Sequence, residues 1–400
     1  MRRNSRPNRG WLLAVLFLLA LCWAGSGVAQ TTTGAAPLRI GVMTMQPGEE
    51  FWERFGHDAL VVQGPGEAIS YNFGFFDMDE PGFVPNFIRG RMRYALVALP
   101  MDLDLSSYRE EGRGVSIQWL DLDPAQAREL ADALASNARP ENMFYRYDYY
   151  RDNCSTRVRD ALDRVLRGGL KAQLSGRSQG NTWRSESVRL AWPAKWMAFG
   201  FHLGLAGAAD RPLSRWEESF IPMRLHDALR EVKRSDGRPL VAQEQALLPH
   251  RISLPPEEMP RWRVPALFIG LAAGLLLAWT SRRHPRALAA FALPFWFACG
   301  LLGLVMAYLW IGSEHMAAHG NENLLLLSPL CLLLLPGAWS ALRDRPVSAR
   351  FRGLLWLVAA SAAIAGFLKF LPFRPQENVE WVLLLLPVHL ALARSFDPKR

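Results

Sequence analysis

The chain has 400 residues, half of them hydrophobic, a net charge of +9 and a mean hydropathy near zero. That average hides a division: beyond Trp262 the chain is a series of long apolar runs, whereas residues 30–260 read as a globular segment that is slightly acidic. A wholly soluble or disordered chain is excluded. The basic excess lies at the flanks of apolar runs, which is a membrane pattern, so no nucleic acid is expected.

In chain order, residues 1–10 are basic, 11–22 are apolar (WLLAVLFLLALC) and GVAQ follows. This predicts a signal peptide or signal anchor over 1–29, with cleavage after Ala29. Leu21 stands before Cys22 where a lipobox needs a small residue, so no lipoprotein anchor is expected. Residues 30–250 form the exported domain. Strands are expected at 38–46, 57–63, 68–74, 92–100 and 113–121. Asp123-Pro124 opens a helix through DPAQARELADALASN. The tyrosine-rich NMFYRYDYY leads into a second helix, DNCSTRVRDALDRVLRGG, stopped by Gly168-Gly169. The pattern predicts an α+β domain with helices flanking an antiparallel sheet.

Residues 251–263 read as a linker. Five apolar runs follow, at about 264–280, 287–311, 324–342, 353–371 and 379–393, each near the ~20 residues a bilayer requires. The connections 281–286 and 343–352 and the tail 394–400 are basic; 312–323 and 372–378 are not. The positive-inside rule therefore places 312–323 and 372–378 outside with the exported domain, in a five-helix transmembrane domain over 264–393. Lys369, near a helix end, can snorkel.

Of four cysteines, only Cys154 lies in the exported segment, so it has no disulfide partner there. It begins a helix whose Val158, Ala161, Leu162 and Val165 form one apolar face. Helix N-terminal amides and a neighbouring imidazolium favour a thiolate, so Cys154 is the candidate nucleophile rather than a small buried hydrophobe. Asn153 and Ser155 flank it as candidate substrate contacts. His57 opens a strand just after Gly56 and is the candidate base. His202 reads as a core or interfacial residue, His226 as part of a solvated helix face, and His250 lies near the linker. Asn72, on the neighbouring strand, is the candidate orienter of the imidazole. In the outward loop, His315, His319 and Asn321 are candidate headgroup contacts. His315 and His319 lack a third ligand, so no metal site is expected, and no cofactor is implied.

The segments EEFWERFGHDALVV, YNFGFFD and YRYDYYRDNCSTRVRDAL resemble the exported domain of the Lnb-type lipoprotein N-acyltransferases. The resemblance continues through NTWRSES, WMAFGFHLGLAGAADRP and SFIPMRL, and through EHMAAHGNENLLLLSPL in the membrane part. It implies a permuted papain-like fold, in which the histidine strand precedes the cysteine helix, as in relatives of lecithin:retinol acyltransferase. The order His57, Asn72, Cys154 fits that permutation. The expected activity is transfer of a phospholipid acyl chain, through a Cys154 thioester, to the N-terminal amine of a lipoprotein. It would take place at the periplasmic face of a bacterial inner membrane. The rival readings are a papain-like cell-wall amidase or peptidase, and a non-enzymatic membrane scaffold with a structural Cys154.

Overall fold

The computed structural model describes residues 38–374 and 376–396; the expected export segment 1–29 and residues 397–400 of the tail lie outside these. The exported part is built on a seven-stranded antiparallel sheet. Its strands are β1 (Arg39–Met45), β2 (His57–Gln63), β3 (Ile69–Phe75), β4 (Arg93–Pro100), β5 (Val115–Leu120), β6 (Phe144–Arg146) and β7 (Val241–Leu248). The spatial order is β6-β4-β3-β2-β1-β5-β7. The five strands expected from alternation form the centre. The two that were not expected, β6 and β7, are the edges. There only one neighbour pairs with each strand and little of it is buried, so neither carries a period-two apolar signal.

Helices cover both faces: α1 (Phe83–Arg89), α2 (Met101–Glu111), α3 (Pro124–Asn137), α4 (Cys154–Val165), α5 (Trp183–Ala191), α6 (Lys195–Gly204) and α7 (Pro222–Glu231). On one face Leu60, Phe73 and Leu96 of the sheet pack with Leu130 of α3, Val158 and Leu162 of α4 and Leu229 of α7. On the other, Met43, Ala59, Val61 and Ile117 pack with Leu105 of α2. Helix α4 is the element that positions the cysteine. Asn153 caps it, with Thr156 completing a reciprocal capping box. Val158, Leu162 and Val165 are buried at helical spacing, each worth roughly 1.5–3 kcal/mol. Arg167 and Gly168, both at positive φ, end the helix.

The C-terminal part comprises α8 (Arg263–Arg283), α9 (Pro285–Ile311), α10 (Leu335–Leu342), α11 (Ala349–Leu368) and α12 (Val379–Ser395). Four segments are long and apolar enough to cross a membrane: Arg263–Arg283, Pro285–Ile311, Glu322–Leu342 and Ala349–Leu368. The fifth expected run forms α12, which has 17 residues and Pro387 inside it. At ~1.5 Å per residue it is shorter than the ~30 Å hydrocarbon layer. It packs along α8, where Gly274 meets the backbone of Pro387.

The third run departs from a continuous α-helix. Glu322–Leu325 and Pro329–Leu334 are 3-10 turns, and α geometry begins only at Leu335. The break frees backbone carbonyls at membrane depth, and neighbours satisfy them. Ser361 donates to the Leu325 carbonyl (3.0 Å) and His389 Nε2 to that of Leu326 (2.8 Å). Non-helical backbone is tolerated in a bilayer only where protein supplies such partners. Gly303 of α9 lies directly against the Leu327 carbonyl, so any side chain there would collide with it. Lys369 reaches the outward connections, donating to Glu322 Oε2 (2.6 Å) and to the Gln376 carbonyl (2.9 Å).

Loop 312–323 sits against the exported domain: Glu314 pairs with both Arg91 and Arg146. The first turn of α9 and the loop after α10 meet at the other end of the helices, through Arg286 and Asp344.

Candidate active site

The β2–β3 register places Ala59 opposite Asn72 as its last pair, and His57 lies two residues before Ala59 on the same face of β2. Asn72 thus lies diagonally across from His57 on the same face, a separation that side chains span. His57 Nε2 donates to Asn72 Oδ1 at 3.0 Å. Asn72 Nδ2 donates in turn to Asp104 Oδ2 (2.9 Å), and Ser70 Oγ donates to the same oxygen (2.7 Å). The acidic anchor orients the amide, and the amide oxygen fixes the imidazole as the Nε2–H tautomer. The Nδ1 lone pair is left free to accept a proton.

Cys154 approaches Gly74 from the α4 side. A β-carbon at Gly74 would lie 3.6 Å from Cys154 Cβ and 4.0 Å from the Tyr145 hydroxyl. Gly74 has φ +102°, which L side chains rarely adopt, so both backbone and space require glycine there. The Cys154 β-carbon and the Tyr145 hydroxyl thus flank the small space at Gly74, and His57 stands on the neighbouring strand β2. The backbone N–H of Asp58, next to His57, also points at the Cys154 sulfur, together with the N–H groups of Cys154 and Ser155.

The electrostatics differ from the expected ion pair. Burial pushes the Cys154 thiol up to about 12, and the nearby Asp58 carboxylate adds to this against the three amides. Burial likewise lowers His57 to about 4, with Arg113 opposing protonation and Asp104 favouring it. Desolvation outweighs the helix N-terminus, so at neutral pH the cysteine is a thiol and the imidazole is neutral. Asp58, raised to about 6 by burial, accepts from Thr44 Oγ1 and Ser155 Oγ, both at 2.7 Å.

Residues 29–189 match the model of the Lnb N-terminal periplasmic domain, and residues 260–396 match that of the Lnb transmembrane domain. The chain belongs to the Lnb family. No curated protein and no solved structure matches it. A periplasmic-type domain joined to apolar membrane helices makes this Lnb-family chain a membrane protein.

The remaining candidate residues of this Lnb-family chain divide by burial. Asn153 is buried, its Oδ1 caps Thr156 N (2.9 Å), and its amide donates to the Tyr149 and Phe220 carbonyls, both at 2.9 Å. Ser155 is wholly buried between Asp58 and the Ser219 carbonyl. Asn321 likewise lies inside: its amide holds the Leu203 (2.8 Å) and Gly204 (3.0 Å) carbonyls, and its oxygen accepts from Gln376 (2.8 Å). His319 Nε2 donates to the Ser313 carbonyl (3.0 Å). His315 Nε2 donates to the Phe87 carbonyl (3.0 Å), and its ring stacks on Tyr149. Both outward-loop imidazoles thus donate to backbone.

Sequence reasoning missed Asp104, Asp58, Gly74, Tyr145 and Arg113. Asp104 and Arg113 lie on or beside α2, whose sequence MDLDLSSYREE is mostly polar and does not mark either residue as part of a site. Gly74 had a signal: a glycine inside a strand pattern marks a bulge or a close approach. The Tyr145 hydroxyl is shielded from solvent and has no hydrogen-bond partner among the described residues.

Proposed function

We propose that this protein is a thiol acyltransferase of the bacterial inner membrane, acting at its periplasmic face. In this reading it moves an acyl chain from a phospholipid to the N-terminal amine of a lipoprotein. The observation carrying it is the pairing of Cys154 and the unpaired Tyr145 hydroxyl at Gly74, with His57 held by Asn72 on the adjacent strand, in a domain fixed onto membrane helices. Cys154 Sγ attacks the ester carbonyl carbon while its proton passes to His57 Nδ1. The tetrahedral intermediate collapses, the acyl–oxygen bond breaks, and His57 returns the proton to the departing lysophospholipid alkoxide. The lipoprotein amine then attacks the thioester. His57 takes the amine proton and delivers it to the released thiolate. Dividing one transfer between two lipids into two steps is the general advantage of a covalent intermediate.

The decisive assay combines purified protein, phospholipid vesicles and a diacylated lipopeptide. N-acylated lipopeptide with stoichiometric lysophospholipid is expected. Free fatty acid alone would reject the transferase reading, and muropeptide cleavage without a lipid product would favour a wall hydrolase.

In the same reading Tyr145 donates its hydroxyl to the oxyanion. Burial, then the nearby Cys154, push the phenol above its ordinary pKa, so it remains a donor at any physiological pH. A shielded donor without a ground-state partner is suited to a charge that forms only in the transition state. Tyr145→Phe is expected to slow acyl-enzyme formation by about 10²–10³-fold, the usual cost of one oxyanion donor. Alkylation of Cys154 by a small electrophile, which forms no oxyanion, should stay near wild type. Equal losses in both reactions would make Tyr145 a packing residue.

A further inference from the structure

Helix α1 has the sequence FVPNFIR, five of its seven residues apolar, and none is buried. A helix of that composition normally seats its apolar side in a core. Instead α1 is tied to the outward loop. Glu314 N donates to the Arg89 carbonyl (2.8 Å), His315 Nε2 to the Phe87 carbonyl (3.0 Å), and a β-carbon at Gly90 would lie only 3.0 Å from the Glu314 backbone. Between α1 and the outer end of α9 runs a groove of about 470 Å³, lined by Phe87 and Ile88 on one side and Leu304, Val305 and Tyr308 on the other. Its size falls in the ~300–1,000 Å³ range of small-ligand sites.

Three observations identify the occupant. One wall belongs to α9, which is long and apolar enough to cross a membrane, so an apolar groove on it at the end nearest loop 312–323 suits a lipid chain. At its rim stand three guanidiniums, Arg89, Arg91 and Arg146, against the one carboxylate of Glu314, which Arg91 and Arg146 share. Burial lowers the His315 pKa, so its ring is neutral; Asp148, close by, adds a second carboxylate, which still leaves the three guanidiniums in excess. The rim is therefore net positive, suited to a phosphate. Finally, a run of stacked rings leads inward from the groove: Phe87 on Phe83, Phe83 on Phe76, Phe76 on Tyr94, and Tyr94 on Tyr147. Tyr147 is close enough to Cys154 for a charge on the sulfur to raise its pKa.

We propose that the α1–α9 groove binds one acyl chain of a glycerophospholipid, whose phosphate rests against the Arg89–Arg91 rim. The lipid would enter sideways from the outer leaflet and follow the aromatic run towards Cys154. This inference rests on the acyl-transfer reading for its purpose, but occupancy of the groove can be measured without turnover.

The test uses full-length Cys154→Ala protein in detergent, titrated with a phosphatidylethanolamine that carries a photoreactive diazirine in its acyl chain. After illumination, adducts should concentrate on peptides covering 83–90 and 304–309 and should saturate. Val305→Trp, which fills the groove, should lower that labelling at least about tenfold, an overpacking effect of ordinary size. Ile88→Trp tests the same space from the opposite wall, and alkylation of Cys154 in otherwise native versions of both variants verifies folding. A diazirine diacylglycerol, lacking the phosphate, should label more weakly, and Arg89→Glu should abolish the difference. Labelling no denser there than at the outward-facing Leu275 of α8, or unchanged by both tryptophans, overturns the proposal. Saturable labelling in a protein whose native form fails to N-acylate lipopeptide would leave the groove standing and remove only the transferase reading.

Discussion

Replacement of Cys154 by alanine is expected to abolish acyl transfer while leaving the fold intact. The side chain is half-buried at the first turn of α4, and the helix is held by Asn153, Thr156, Val158, Leu162 and Val165 rather than by the sulfur. Removing the thiol therefore deletes the reacting atom at small cost in packing. With the wild-type protein, a single turnover on phospholipid quenched in acid should show an acyl adduct on the Cys154 peptide, one lysophospholipid being released per adduct. The alanine variant should show neither, with unchanged circular dichroism and melting. Residual turnover within tenfold of wild type would rule out thioester chemistry.

His57→Ala should cost about 10²–10⁴-fold in the acylation step, the range for loss of a positioned general base. The pH dependence distinguishes this role from that of an ion-pair partner. With His57 lowered to about 4 and Cys154 raised to about 12, the resting pair is neutral between those limits. The imidazole loses its proton as pH rises through about 4, so acylation should be near its full rate by neutral pH. Its acid limb should lie well below the ordinary histidine value of ~6.5. Direct alkylation of Cys154 needs thiolate, so it should climb with pH through the neutral range without an acidic plateau. It should also change far less in His57→Ala than turnover does. An alkylation plateau near pH 5 that vanishes in the variant would show a preformed thiolate–imidazolium pair and overturn this electrostatic account.

The site was legible in the sequence where one side chain carried its own signal. Cys154 follows a capping residue and precedes an apolar helical stripe, while His57 and Asn72 lie on alternating strands, so the sequence positions them before any tertiary information. The histidine–asparagine bond at 3.0 Å follows from that register. What supports these residues was not legible. Asp104 reaches Asn72 from a helix 32 positions along the chain, and Tyr145 comes from a three-residue edge strand. Neither has a local pattern to announce its neighbour. Burial weighs against the expected thiolate because helix-end amides are visible in a sequence, whereas desolvation depends on everything packed around the sulfur. Asn153, Ser155 and Asn321 were read as substrate contacts because polar residues near a nucleophile or in a loop suggest one. Burial gives each of them structural hydrogen bonds instead.

The hydrogen bonds around Asn321 have a consequence for what this protein can process. Asn321 and Asn323 both hold the Leu203 carbonyl at the end of α6, Ala206 N donates to the Ala317 carbonyl, and Trp381 Nε1 donates to His202 Nδ1. Asp210, buried with Arg184 in a two-pronged ion pair, also accepts from Glu377 N (3.0 Å). On the proposed reading these fastenings would hold the thiol at a constant height above the bilayer rather than let it swing towards its substrates. On the proposed reading the reach of the reaction is then set by altitude. Any acceptor whose amine sits at the lipid surface comes within range, however large or variously folded the protein attached behind it, and an amine held farther out does not. A fixed altitude would let one enzyme serve many unrelated lipoproteins without recognising the body of any of them.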